Sequence, residues 1–220
     1  MKVIILAGGF GTRLARVSGE KPKPLVEVAG IPILERQINV LLSHGFNDIC
    51  LSLHHKADQI IAFCDVKWPG KFEYKIEPVP LGTGGGIRFA AQGIREPFLA
   101  VNGDILADIN PLSLMAASPN TIVAAYQEDA RPYGLLDIKE GKVTGFREKP
   151  QEFRGGYINA GWYFLHPDVF ADIPEDTFMM ETDIFPKLAA TGALGAHLHH
   201  GYWIDCGTEE RLSQANRDHQ

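Results

Sequence analysis

Long apolar runs are missing from this chain of 220 residues. The first, Val3 to Ala7, follows only Lys2 and stops at Gly8, too short for a signal peptide's apolar region or a membrane-spanning helix, so a cytoplasmic protein without membrane attachment is expected. Cysteine is scarce as well. Cys50, Cys64 and Cys206 are odd in number and lack close metal-ligand spacing, which points to unpaired thiols rather than a disulfide framework. There is no excess of basic charge: 21 Lys and Arg face 27 Asp and Glu, and a net charge of −6 argues against a general affinity for nucleic acid. A polyphosphate partner must therefore be held by a local site. No repeat, low-complexity tract or linker divides the chain, and 45% apolar with 22% charged residues is ordinary for a globular protein. One domain over residues 1–220 is expected, monomeric or self-associating.

What is there begins with Val3-Ile4-Ile5-Leu6-Ala7, a continuous apolar run that fits a parallel strand buried on both faces. Leu34, Ile38, Leu41 and Leu42 then recur at helical spacing, with Pro32 suited to a first helical turn. The alternation continues with a strand over Ile49 to Leu53, a helix over Asp58 to Cys64, a strand over Phe72 to Ile76, a helix over Gly86 to Gln92 and a strand over Phe98 to Val101. Such alternation implies right-handed crossovers and an α/β, Rossmann-like, doubly wound sheet, mixed but mainly parallel. From about Ile122 strand-like runs joined by turns (Ile122 to Tyr126, Leu135 to Ile138, Val143 to Arg147, Tyr157 to Leu165) predict a smaller antiparallel lobe. Short helices are expected over Pro167 to Asp172, Thr182 to Ala190 and Thr208 to Asn216.

The segment richest in chemistry is Gly8-Gly9-Phe10-Gly11-Thr12-Arg13-Leu14, directly after the first buried strand. Ligands of open α/β sheets lie outside the carboxyl ends of the strands, so this loop stands where a nucleotide belongs. Its glycines let backbone amides approach phosphate oxygens. The third glycine of a dinucleotide fingerprint is missing, and the second strand ends in His54 rather than an acidic residue, which disfavours a nicotinamide oxidoreductase. No Gly-Lys-Ser/Thr closes the turn, so a P-loop is disfavoured too. What remains is a set of amides and one guanidinium whose planar fork suits a triphosphate.

Together with Pro22-Lys23-Pro24-Leu25, this loop resembles the signature of the sugar-1-phosphate nucleotidyltransferases, and the likeness runs nearly the whole length. It implies the fold of the nucleotide-diphospho-sugar transferases, with residues 1–120 binding nucleotide and 121–220 binding sugar phosphate. Leu6, Ala7, Gly8, Gly9, Gly11 and Thr12 would then contact the nucleotide; Arg13 would bind the departing phosphates and Lys23 would bridge the α-phosphate and the sugar phosphate. Glu77-Pro78-Val79-Pro80-Leu81-Gly82-Thr83-Gly84-Gly85 resembles the family's base-binding loop, with Leu81, Gly82 and Thr83 against the nucleobase and Glu77 at its edge. Asn102-Gly103-Asp104 and Trp203-Ile204-Asp205-Cys206-Gly207-Thr208 resemble the metal-site motifs, which makes Asp104 and Asp205 the implied ligands of Mg2+ and Asn102 a nucleotide contact. Phe146-Arg147-Glu148-Lys149-Pro150 resembles the family's Glu-Lys-Pro, where Lys149 would hold the sugar phosphate and Glu148 a sugar hydroxyl; Asn159 and Gly134 match further sugar-contacting positions.

The implied reaction is attack of a sugar 1-phosphate oxygen on the α-phosphorus of a nucleoside triphosphate, driven by positioning and charge neutralisation. A carboxylate at Glu77 suits guanine's adjacent N–H donors, favouring GTP. The chain shows no added β-helix or acyltransferase-like region after Asp205, so it resembles the short members of the family, above all the D-glycero-α-D-manno-heptose 1-phosphate guanylyltransferases that serve cell-surface glycan synthesis. Mannose-1-phosphate guanylyltransferases, the uridylyltransferases of N-acetylmuramate 1-phosphate and a non-catalytic sugar-nucleotide sensor are the alternatives. The doublets His54-His55 and His199-His200 lack partners at helical spacing and are expected at an edge or surface, and Trp68, Trp162 and Trp203 in the core or a site wall.

Overall fold

The structure, a computed structural model, describes residues 1–11, 14, 19 and 21–219. The chain runs β1 (Lys2–Leu6), β2 (Glu27–Val28), β3 (Ile31–Pro32), α1 (Ile33–Ser43), β4 (Asp48–Leu53), α2 (Ala57–Lys67), β5 (Glu73–Ile76), α3 (Gly82–Ala90), β6 (Phe98–Asn102), β7 (Ile105–Ala107), α4 (Pro111–Met115), β8 (Thr121–Gln127), β9 (Gly134–Lys139), β10 (Lys142–Glu148), β11 (Gly156–Leu165), α5 (Phe185–Ala190), β12 (Gly195–His199), β13 (Trp203–Asp205) and α6 (Glu209–Asp218). Nine strands form one sheet in the order β5-β4-β1-β6-β11-β8-β12-β10-β9. Strands β5, β4, β1 and β6 are mutually parallel. Strand β11 then reverses direction against β6 and β8.

Both faces of the parallel part are covered, as its apolar run requires. Val3 and Ile5 point to one face, onto Leu34, Ile38 and Leu41 of α1 and Ile60 of α2, while Ile4 points to the other, onto Ile87 and Ala90 of α3. Val3, Ile4 and Ile5 are fully buried, each contributing about 1.5–3 kcal/mol of apolar transfer. A third cluster, with Leu14, Val28, Ile33, Leu106 and Leu212, ties the start of the chain to α6.

Four features differ from expectation. Helix α3 begins at Gly82 instead of Gly86: four glycines in its first half argue against helix by propensity, but the 176–178 segment packs on it so closely that a Cβ on Gly85 would lie 2.4 Å from the Asp176 carbonyl. The helix expected from Thr182 is a π-helical turn over Met180–Ile184 followed by α5. The antiparallel strands also continue the one sheet and curl until β9 pairs with the amino-terminal part of β11, which a bulge between Asn159 and Tyr163 bends. Strand β12 enters between β8 and β10. It carries His199 inward, where Nε2 lies 3.0 Å from Asp108 Oδ1, so this histidine is at neither the edge nor the surface where the sequence predicts it. Among the described residues no helix is long and apolar enough to cross a membrane.

Candidate active site

The carboxyl ends of β1, β4 and β6 open into a cleft of about 320 Å³. Its floor is backbone. The Ala7 N–H donates to the Ser52 carbonyl at 2.8 Å and the Gly103 N–H to the Leu6 carbonyl at 2.8 Å, which pins the chain leaving β1 between its two neighbouring strands. The contact tolerates no side chain at Gly103, where a Cβ would lie 2.6 Å from the Leu6 oxygen. Of the residues expected on the nucleotide, Leu6, Ala7, Gly8, Gly9, Glu77, Leu81, Gly82, Thr83 and Asn102 all line this cleft, together with Lys23 and Asp104. Gly11 turns beneath Lys23 with φ near 62°, a conformation glycine adopts without strain. Thr12 and Arg13 lie outside the described residues.

At the rim, two carboxylates far apart in sequence meet over one ammonium. Strand β13 pairs with β7, and the Cys206 N–H donates to the Asp104 carbonyl at 3.0 Å, so Asp205 arrives beside Asp104. Lys23, in a short 3₁₀ turn opened by Pro22, donates through Nζ to Asp104 Oδ2 and lies 3.7 Å from Asp205 Oδ1. The other Asp205 oxygen accepts from Arg211 Nη1 at 2.5 Å. The Arg211 guanidinium lies 4.9 Å over the ring of Tyr133, which meets Trp203 edge-on. Two fixed cations thus face two carboxylates. Arg211 was legible only as a helix-start residue, and its backbone does cap α6 on the Thr208 hydroxyl; its ion pair had no sequence signal.

Glu77, expected at the edge of the nucleobase, lines the cleft with its carboxylate engaged by its own surroundings. It is buried, its Oε1 accepting from the Ser52 hydroxyl at 3.0 Å and its Oε2 from the Leu81 N–H at 3.0 Å. The Pro78-Val79-Pro80 turn leaves that N–H without a strand partner, and the carboxylate supplies one. His54, expected at the surface, lines the cleft, bonds through Nδ1 to the Glu77 carbonyl at 3.0 Å and meets Phe10 edge-on.

The residues expected on the sugar phosphate stand on β9, β10 and β11, beyond the cleft. Gly134 pairs with Glu148 across β9 and β10, and Glu148 forms a 2.9 Å ion pair with Lys149. Lys149 sits in the left-handed region (φ 47°) with its N–H on the Tyr133 carbonyl at 2.9 Å, which turns its side chain out of the strand; that side chain is 60% exposed. Asn159 is held inside the bulge, its Oδ1 accepting from the Gly161 N–H at 2.9 Å and its Nδ2 donating to the Tyr163 hydroxyl at 3.0 Å. Burial holds the Tyr163 phenol well above its ordinary pKa, and its hydroxyl also interacts with the Asn102 side chain, linking the sheet's two halves.

Comparison with known proteins gives the family. Residues 2–220 match the nucleotidyl transferase family. Among curated relatives, the mannose-1-phosphate guanylyltransferase catalytic subunit beta of Dictyostelium discoideum is 35% identical over 219 residues, covering 94% of this chain and 61% of that protein. The mannose-1-phosphate guanyltransferase of Yarrowia lipolytica is 35% identical over 221 residues, with the same coverage. The chain thus spans about three-fifths of the length of these curated relatives. Among solved structures, HddC from Yersinia pseudotuberculosis complexed with GMP-PN superposes with a TM-score of 0.86 at 36% identity, over 100% of this chain and 99% of that one. With a family match over nearly every residue and a neighbour alike in both sequence and fold, this chain belongs to the nucleotidyl transferase family.

Proposed function

We propose that the protein is a cytoplasmic sugar-1-phosphate guanylyltransferase that joins GTP to D-glycero-α-D-manno-heptose 1-phosphate and releases pyrophosphate. The observation that carries the reaction class is the Lys23 ammonium shared by Asp104 and Asp205 at the rim of a glycine-floored cleft. The GMP-PN held by the HddC neighbour and the guanylyltransferase names of the curated relatives support the base. Those same names make mannose 1-phosphate the main competitor for the sugar, whereas the likeness through Pro80 to Gly85 favours the heptose.

The donor set fits a divalent ion. Two carboxylates that already approach a single cation can approach another, and a site of only two carboxylates suits Mg2+, which keeps water and substrate phosphate as its remaining ligands. When bound, Mg2+ held by Asp104 and Asp205 supplies charge neutralisation for the phosphates. The chain's own residues supply the rest. Amides of the 6–11 loop face the phosphates, Leu81 to Thr83 pack on the base, and Lys149 reaches the sugar phosphate from the opposite side. Lys23, released from its carboxylates, pairs with the α-phosphate. An oxygen of the sugar phosphate forms the new bond to the α-phosphorus while the bond to the β-phosphate oxygen breaks. No protein base is required, since the attacking phosphate is already ionised near neutral pH.

A matrix of the common nucleoside triphosphates against heptose, mannose, glucose and N-acetylmuramate 1-phosphates, scored by pyrophosphate release, tests the proposal. GTP with the heptose phosphate is expected to give the highest kcat/KM. Higher turnover of another pair renames the substrates, and silence across the matrix removes the reaction.

A further inference from the structure

Glu181 is a largely buried carboxylate with no role in the chemistry above. It sits in the π-helical turn Met180–Ile184, an irregularity that costs regular helix bonding and recurs at functional sites. The turn is clamped to the cleft wall. The Met180 N–H donates to Thr83 Oγ1 at 3.0 Å, and that hydroxyl donates to Glu181 Oε2 at 2.5 Å. The turn also packs against β10, the strand that ends in Glu148, so the charges of Glu148 and Lys149 act on Glu181, and Glu181 in turn acts on Tyr163, the partner of Asn159. Glu181 therefore stands between Thr83, which lines the nucleotide cleft, and the strand residues expected on the sugar phosphate.

The carboxylate is incompletely used. Burial raises its pKa, and the Thr83 hydroxyl and its own backbone N–H offset part of that penalty. A carboxylate has about four acceptor positions, so two remain, and the side chain stays partly open to solvent. Support of Thr83 alone needs no charge, since an amide oxygen would accept the same bond. A charged acceptor beside a phosphate-binding lysine, with spare lone pairs, matches a neutral polyol carrying hydroxyl donors.

We infer that Glu181 recognises the sugar, its carboxylate accepting a hydrogen bond from a hydroxyl of the sugar 1-phosphate and so helping to select which sugar is used. The inference rests on the nucleotidyltransferase reading, and activity of the wild-type protein with at least one substrate pair tests that reading separately. On the active pair, Glu181→Gln keeps the bond from Thr83 and removes the charge; the KM for the sugar 1-phosphate is expected to rise about tenfold, the size of a hydrogen bond to a charged group, with the KM for the nucleotide within about twofold of wild type. A series of deoxy-sugar 1-phosphates then names the hydroxyl. One of them should cost the wild type about tenfold in kcat/KM and cost Glu181→Gln almost nothing further, the non-additivity expected of directly touching groups. Glu181→Asp, which keeps charge but withdraws the oxygens, is the second variant should the first fail to fold, and it should show the same rise in sugar KM. A raised nucleotide KM with unchanged sugar KM overturns the inference in favour of a support for the base loop, as does equal sensitivity of wild type and variant to every deoxy sugar.

Discussion

The two sides of the site are built from different materials. On the proposed nucleotide side the floor is main chain: β1, β4 and β6 hold the 6–9 segment and Gly103 between them, with backbone bonds of 2.8 Å at Ala7 and Gly103, and the Glu77 side chain bonds inward to its own loop. On the proposed sugar side the candidates are side chains: Glu148, Lys149 and Asn159 lie in or beside a curled, bulged part of the sheet, and Lys149 is 60% exposed. A backbone-built site is preorganised by the packing of the strands beneath it. A side-chain-built site can change specificity without disturbing the core, which is why the two halves should respond differently to substitution.

The largest expected contrast is chemical. Lys23→Ala should lower kcat by two to three decades, about the cost of deleting one preorganised electrostatic donor, and Arg13→Ala should do the same; steady-state pyrophosphate release measures both. Either variant within about threefold of wild type removes that residue from the chemistry. Next comes the backbone floor. Gly103→Ala places a Cβ 2.6 Å from the Leu6 oxygen and should cost about 1–3 kcal/mol of stability, seen as a lowered denaturant midpoint. Arg211→Met breaks a largely buried ion pair to Asp205 and should destabilise by about 1–2 kcal/mol in the same assay, with loss of cation–π contact to Tyr133 adding to it.

Alkaline titration sharpens the picture of a closed core. Burial pushes the thiols of Cys50, Cys64 and Cys206 up to about 12, from an ordinary value of 9.0. The unfolded chain loses these protons first, so stability conferred below pH 9 should be lost progressively as the pH rises toward 12. At neutral pH none of the three should react with a thiol reagent until the protein is unfolded. The smallest expected stability effect belongs to Lys149→Met, under about 0.5 kcal/mol because the Lys149 end of its pair with Glu148 is exposed, yet its KM for the sugar 1-phosphate should rise; a stability loss comparable to that of Gly103→Ala would erase the distinction between the two sides.

The lining of the cleft was largely legible in the residues. Buried parallel strands announce themselves as unbroken apolar runs, and the loops at their carboxyl ends carry glycines whose purpose is local. Nine of the residues expected on the nucleotide line one cleft. Legibility failed where a residue's role depends on a distant segment. Gly82 to Gly85 look like a loop until Phe178 and Asp176 pack on them as a helix. The bonds of Glu77 to Ser52 and Leu81, and that of Glu181, just ahead of the expected helix, to Thr83, likewise join segments that no local pattern connects.

From sequence alone came the strand–loop–helix order and the placing of glycines after β1, because period and turn chemistry are properties of neighbouring residues, and the resemblance of two motifs to a known family paired Asp104 with Asp205 as candidate ligands. Only the tertiary structure decided that one lysine joins those two carboxylates, that Arg211 holds the second of them and that the curl of the sheet brings β9 back to β11. Those outcomes follow from long-range pairings such as β13 on β7, whose register is set by three-dimensional packing and leaves no trace in any short stretch of residues.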